Sequence, residues 1–367
     1  MSLVVSYKKQ FGIMLILIIS ILIVVETSAR IYEFFIPECF YLNADASQEM
    51  HLDLRKQICE QSKLVKTIEF PVFQYEPNQS LYTININSFG FRGADFNEIK
   101  DDDTYRIFMV GGSTTFGSGS TSDETTIPAF LEKKFIENNL NVEVINAGVG
   151  AADSMEEAYK IRHIYKKYDP DHFIVYDGWN DSFTHLNPNE LNPSISRSEN
   201  LESKKSFIQL WISENLQMYR TIYVLYPIFS HYSISSSLND DVYKKNYEIW
   251  KNRWSKICDE NNMDGIQTSI FLQPVVGSGN KKLTIDEKRH ADYIKGIKTR
   301  EQLDVYSNVL PIESCTASFD IRNSLDGVEK AVYYDGGHLN DYGNYLIANK
   351  IYEKILPIIS NDIKLKK

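Results

Sequence analysis

Four cysteines in 367 residues, none of them in a Cys-x-x-Cys pair, leave no ligand spacing that suits a structural zinc site. No long cluster of lysine or arginine offsets a formal net charge of -10, so a phosphate backbone has nothing to pair with, and nucleic acid is excluded as a partner. The chain has no internal repeat and no low-complexity tract, which removes solenoids and arrays. The lysine of a phosphate-binding GxxxxGK[ST] loop is missing after Gly111-Gly112-Ser113, so that loop does not fit nucleotide chemistry. No metal and no cofactor is expected.

The N-terminus is different in kind. Lys8 and Lys9 precede Phe11–Val25, in which only Gly12 and Ser20 interrupt large apolar side chains, and Glu26 and Arg30 close the run. Such a helix covers ~22 Å, short of a hydrocarbon core of ~30 Å, and snorkelling lysines with Leu3–Tyr7 make up the difference. Thr27-Ser28-Ala29 also fits a cleavage site, so both a retained anchor and a removed signal stand open. Either one exports the rest of the chain, and the basic flank places the N-terminus inside. The expected localisation is membrane-anchored with the catalytic domain extracytoplasmic, or secreted if the segment is cleaved. An even cysteine count then permits two disulfides, with Cys39–Cys59 the expected pair, and leaves Cys258, on a helix face, open between a second bridge and a buried thiol.

From Tyr105 the pattern alternates strand and helix. Arg106–Val110, Val142–Ile145, His172–Tyr176 and Gln267–Leu272 read as strands. Ile127, Phe130, Leu131 and Phe135 mark one helix face, and Ser154-Met155-Glu156-Glu157 has the form of a capping box. Further helices are expected over Val242–Asn261, about Ile285–Val305, and after Asn340, which reads as an N-cap. Pro71–Tyr75 and Tyr82–Asn87 look like short strands ahead of a glycine-punctuated turn, 87–93. The expected fold is α/β, a three-layer α/β/α of flavodoxin-like architecture with a parallel sheet, preceded by an N-terminal membrane helix. The expected divisions are 1–30 for stub and membrane helix, 31–103 for an extension packing on the catalytic domain, and 104–360 for that domain. Residues 183–240 form an insertion, read as a lid or substrate-facing subdomain, whose aromatics Phe207, Trp211, Tyr219, Tyr223, Tyr226 and Phe229 are more simply core.

Four motifs fall where strands end or the last helix begins: Gly112-Ser113, the Asn146–Ala151 stretch, Asp177-Gly178-Trp179-Asn180-Asp181, and Asp335-Gly336-Gly337-His338. In a parallel sheet the crevice lies beyond the carboxyl ends of the strands, so all four converge. A serine needs a base, the base needs an orienting acceptor, and the tetrahedral intermediate needs donors aimed at its oxygen. Ser113, His338 and Asp335 supply the first three roles. The N–H groups of Ser113 and of Gly150 or Ala151, with the Asn180 amide, supply the oxyanion donors. Each motif alone is an ordinary turn, and Asp181 reads as stabilising its own turn. Their order along the chain is what singles them out.

This set resembles the four sequence blocks of the SGNH (GDSL) hydrolase superfamily over about Tyr105 to Ile359, and 87–93 with Leu272-Gln273-Pro274 resembles segments of exported, membrane-anchored members. The resemblance implies a three-layer fold, no metal, and ester or acyl hydrolysis by Ser113, Asp335 and His338, with Asn180 in the oxyanion hole. Two departures stand out. Gly112 replaces the aspartate beside the nucleophile, and the family's oxyanion glycine aligns with Ala151, a residue that serves only if the turn does not require positive φ. The expected partner is an ester-bearing glycan or lipid, with deacetylation of a surface polysaccharide preferred. The alternatives are O-acyl transfer onto a surface polysaccharide, or a catalytically inactive binding protein.

Overall fold

The computed structural model describes residues 6–35, 39–69, 72–183, 186–194, 240–296 and 299–366. The chain up to Cys39 belongs to a unit separate from the body formed by Phe40–Glu202 and Ser235–Lys367. In the first unit helix α1 (Tyr7–Phe35) runs past the apolar stretch read from the sequence. Its Tyr7–Ile31 portion has a mean hydropathy of 2.5 and is long and apolar enough to cross a membrane. The helix continues through Glu26 and Arg30 because they lie one turn apart and pair at 2.8 Å.

The body is a five-stranded, wholly parallel sheet with helices on both faces, as expected. β1 (Tyr105–Gly111), β2 (Val142–Gly148), β3 (His172–Asp177), β4 (Gln267–Leu272) and β5 (Ala317–Asp320) stand in the order β2-β1-β3-β4-β5. This is the flavodoxin-like order, with its switch point between β1 and β3. β1 and β3 are buried along their whole length, which explains their near-continuous apolar sequence. β5 escaped the sequence reading because Ala-Ser-Phe-Asp on the sheet edge is only partly buried and carries no apolar run.

Helices α2 (Leu52–Gln61) and the single turn α3 (Ser113–Phe116) precede the larger ones. On one face α4 (Ile127–Glu137) packs on α10 (Asp341–Lys366), which buries Ile347, Ala348, Ile351 and Ile355 and is capped by Asn340 Oδ1 accepting from Gly343 N at 3.0 Å. On the other, α7 (Asp240–Met263) packs against α5 (Ser154–His163), α6 (Trp179–Phe183) and α9 (Thr299–Asn308). Trp250, Trp254 and Ile257 of α7 are fully buried, the stripe expected from their spacing.

Two local expectations need correction, and one left open is decided. The capping residue of α5 is Asp153, whose Oδ1 accepts from Met155 N and Glu156 N, so Ser154 is already the first helical residue. The helix expected over about Ile285–Val305 is two, α8 (Ile285–Gly296) and α9, the first ending at a glycine that propagates a helix poorly. Cys258 is no thiol: it is bonded to Cys315, with Cα atoms 4.8 Å apart, and no described cysteine is free.

In the extension only Gln74–Tyr75 and Asn85–Ile86 of the two expected strands pair, and Pro71 lies outside the described residues. Arg92 joins this segment to the sheet. Its backbone bridges Asn146 in β2, and its buried guanidinium reaches Asp123 at 2.7 Å and the carbonyls of Thr83, Phe116 and Gly117. Most of the insertion expected at 183–240, with all its singled-out aromatics, lies outside the described residues.

Candidate active site

Ser113 stands where β1 gives out. Gly111 closes the strand and Gly112 is the extended residue before α3. Close approach dictates both glycines: a Cβ on Gly111 would lie 2.6 Å from the Tyr176 carbonyl, and one on Gly112 would lie 2.5 Å from Asn180 Nδ2. An aspartate at 112 therefore has no room while Asn180 holds its position.

His338 comes from a tight hairpin ahead of α10. Tyr333 bridges Leu339, and Tyr334 N donates to the His338 carbonyl at 2.9 Å. The base of the hairpin is held by Glu287 of α8, fully buried, which accepts from Val332 N and Tyr333 N through one oxygen and from Lys281 Nζ and Thr284 N through the other. At the tip, Asp335 Oδ1 accepts from Gly337 N and His338 N, while Oδ2 lies 2.7 Å from His338 Nδ1. His338 Nε2 lies 2.7 Å from Ser113 Oγ. Trp179 stands edge-on to the imidazole, ring centroids 5.1 Å apart, and occupies the space that a Cβ on Gly337 would need. Burial pushes the Asp335 carboxyl up, but the charge of His338, its hydrogen bond and the two backbone N–H groups outweigh this and hold the carboxyl below the ordinary range.

The donors at the expected oxyanion site are arranged less simply. Asn180 Nδ2 donates to the Ala152 carbonyl at 2.6 Å, which draws α6 against the turn after β2. Gly150 N donates to Tyr75 Oη at 3.0 Å, so this candidate serves an oxyanion only if Tyr75 releases it. Ala151 sits at φ 55, in the left-handed region. The turn does require positive φ, and an alanine occupies it. Among the described residues no cluster of His, Cys, Asp or Glu is arranged to hold a metal ion.

The structure thus brings Ser113, His338 and Asp335 into one hydrogen-bonded line beside Asn180, at the carboxyl ends of β1 and β3. Two neighbours escaped the sequence reading, Tyr75 and Trp179, while Asp181, read as stabilising its own turn, is buried and accepts instead from Ser154 N and Oγ. Trp179 sits inside the Gly178-x-Asn180 motif and was legible by position; Tyr75, reached only through a 75-residue separation, carried no local signal.

Fold and site together define a three-layer α/β/α protein with a Ser–His–Asp line at the sheet's switch point. The sequence matches no protein-family model and no curated protein. Among solved structures it is similar to an acetyl xylan esterase, AlAXEase, at 13% identity and a TM-score of 0.41, covering 68% of this chain and 99% of that one. It is also similar to a lipase/acylhydrolase from Enterococcus faecalis, at 14% identity and a TM-score of 0.40, covering 68% and 95%. A two-domain esterase active on acetylated mannans, co-crystallized with mannopentaose, gives 14% identity and a TM-score of 0.37, covering 70% of this chain and half of that one. With TM-scores below 0.5 none of these adds weight to the chemistry, which rests on the side-chain geometry.

Proposed function

We propose that the protein is a serine esterase of the SGNH/GDSL type that removes acyl groups, acetyl first among them, from a glycan or lipid outside the cytoplasm. The observation that carries this reading is the unbroken line from Ser113 Oγ through His338 to Asp335, with both contacts at 2.7 Å. Ser113 Oγ attacks the acyl carbonyl while its proton passes to His338 Nε2, and Asp335 stabilises the imidazolium through Nδ1. Collapse of the tetrahedral intermediate expels the alcohol, which takes that proton from His338 and leaves the acyl-enzyme. Water then attacks, giving its proton to the same nitrogen, and the carboxylic acid departs as Ser113 is reprotonated. The Asn180 amide and the N–H of Ser113 stabilise the oxyanion in both steps, joined by the Gly150 N–H once Tyr75 releases it.

The choice of a surface glycan rests on the exposed apolar α1, read as a membrane tether, and on the resemblance of the four blocks. The tether is tested separately: the full chain should stay with membranes through alkaline carbonate extraction, and deletion of residues 1–30 should release it. Release of a chain shortened at its N-terminus would point to a cleaved signal.

Fluorophosphonate labelling of the detergent-solubilised full chain tests the chemistry. Labelling should be stoichiometric in the wild type and lost in Ser113→Ala, and hydrolysis of short acyl esters should vanish with it. A folded wild type that neither labels nor hydrolyses such esters would overturn the reading.

A further inference from the structure

Asp335 and His338 are brought together locally: they lie three residues apart, and the turn between them is closed by the two backbone N–H groups that donate to Asp335. Ser113 and His338 are not. They are 225 residues apart, one at the end of β1 and the other on the hairpin, so their 2.7 Å contact depends on where the hairpin is seated. At its tip Val276 N, beyond β4, donates to the Gly336 carbonyl at 2.9 Å, and Ile294 of α8 and Trp179 of α6 close on Gly336. At its base Glu287 accepts from Val332 N at 2.9 Å and from Tyr333 N at 3.2 Å. Glu287 and Ile294 stand two turns apart on one face of α8, which therefore lies along the hairpin from base to tip.

The ordinary role for Glu287 is a smaller one. Thr284-Ile285-Asp286-Glu287 has the form of a capping box, and both of its bonds are made: Glu287 N donates to Thr284 Oγ1 at 3.3 Å, and Thr284 N donates to Glu287 Oε2 at 3.1 Å. That motif needs one carboxylate oxygen. Here the side chain is wholly buried, and Oε2 also accepts from the buried Lys281 Nζ at 2.8 Å, while Oε1 is given to the two hairpin amides. We propose that Glu287 is a positioning residue: by holding the Val332 and Tyr333 amides against α8 it sets the distance between His338 Nε2 and Ser113 Oγ.

The hairpin transmits that hold across its two strands. Val332 O accepts from Asn340 N, and Tyr334 N donates to the His338 carbonyl, both at 2.9 Å, so a shift at 332–333 is carried to 338 within one pair of bonds. Replacing a buried ion pair by apolar groups of similar size is often neutral or stabilising, so stability alone does not account for Glu287 and Lys281. What an apolar pair cannot supply is an acceptor for two buried backbone N–H groups. The oxygens of Glu287 are taken by Val332, Tyr333, Lys281 and Thr284, and its effect on the reacting atoms runs through the hairpin.

The inference rests on the proposed esterase reading and deepens it. Two double variants of the detergent-solubilised full chain carry the test, because both replace the ion pair by neutral groups of similar size and differ in the acceptor. Glu287→Gln/Lys281→Met keeps an oxygen for the hairpin amides, and Glu287→Leu/Lys281→Met does not. In hydrolysis of p-nitrophenyl acetate the first should keep kcat within about threefold of wild type. The second should lose about 10–100-fold in kcat with KM within about threefold, and fluorophosphonate labelling of Ser113 should slow by the same factor. Glu287→Gln alone should behave like the second, because Lys281 takes the one remaining oxygen, and it decides the matter if the leucine variant does not fold. Thr284→Ala loses the cap hydroxyl but keeps the hairpin bonds, so it should unfold at a lower temperature with kcat within about threefold of wild type. Equal kcat in the two double variants, or wild-type kcat in Glu287→Gln, would overturn the positioning role. A loss in Thr284→Ala as large as in the leucine variant would reduce Glu287 to a helix cap. If the wild type neither labels at Ser113 nor hydrolyses the ester, the esterase reading falls; an active wild type with the wrong pattern of variants sinks this inference alone.

Discussion

At the scale of the single residue, Ala151 is held in a conformation that costs an L-residue about 1–2 kcal/mol. Ala151→Gly should therefore raise stability by about 1 kcal/mol, read as a higher urea midpoint at unchanged slope. An unchanged midpoint would mean that the turn relaxes around the alanine. Asp335 makes a prediction with a sign. Its carboxyl is held below the ordinary range in the folded state, so its contribution to stability is fully present above about pH 4. That contribution is lost as pH falls through the folded value. Asp335→Asn should lose less stability than wild type between about pH 5 and pH 2, while its turnover at neutral pH drops by about 10³–10⁴. Parallel acid-unfolding curves for the two proteins would count against the ion pair.

At the scale of the element, the site is made by turns that can approach because glycines let them. Gly112→Ala would drive a Cβ to 2.5 Å from Asn180 Nδ2, so the Asn180 amide must leave its present position. The expected result is a loss of about 10²–10³ in kcat, as for removal of an oxyanion donor, with a cooperative unfolding transition retained. Full activity would show that Asn180 lies outside the oxyanion site. Arg92 is the corresponding device for the extension: buried, paired with Asp123 and reaching four carbonyls, two of them in the turn that follows Ser113. Arg92→Ala removes the cation paired with Asp123 and one donor from each of those carbonyls and should cost about 3 kcal/mol or more, measured by chemical denaturation. Arg92→Lys should recover only part of it, because an ammonium cannot reproduce the fork.

At the scale of the whole molecule, the body keeps several carboxyl groups in its interior near the site. Among the described residues neither oxygen of Glu157 has a hydrogen-bond partner, and burial, then the charges of Asp177, Asp181 and Asp153, push its carboxyl well above the ordinary range. A raised carboxyl binds its proton more tightly folded than unfolded. Its stabilising contribution is therefore present below about pH 4.3 and is lost as pH rises toward the folded value. Denaturation midpoints of the wild type should decline from pH 5 to pH 8 more steeply than those of Glu157→Gln. Equal slopes would show that Glu157 ionises in the fold as it does in water.

The same residues mark how far the sequence could be read. Strand and helix periodicity, the apolar N-terminal helix and the chemistry carried by serine, histidine and aspartate are local properties, and they suffice for the parallel α/β class and for naming Ser113, Asp335, His338 and Asn180. The edge strand β5 and the break between α8 and α9 were lost because a short, half-exposed strand and a single glycine leave little pattern. Beyond the Ser113–His338–Asp335 set, which its chemistry named, what a polar group touches was not legible. Gly150 meets Tyr75 across 75 residues, and Asp181 meets Ser154 across 27. The sequence by itself determined which groups are available and at which strand ends they stand. Only the tertiary structure decided that Gly150's N–H goes to Tyr75, that Ala151 is left-handed and that Asp181 is buried against Ser154, because partners, backbone sign and burial depend on how distant turns are brought together.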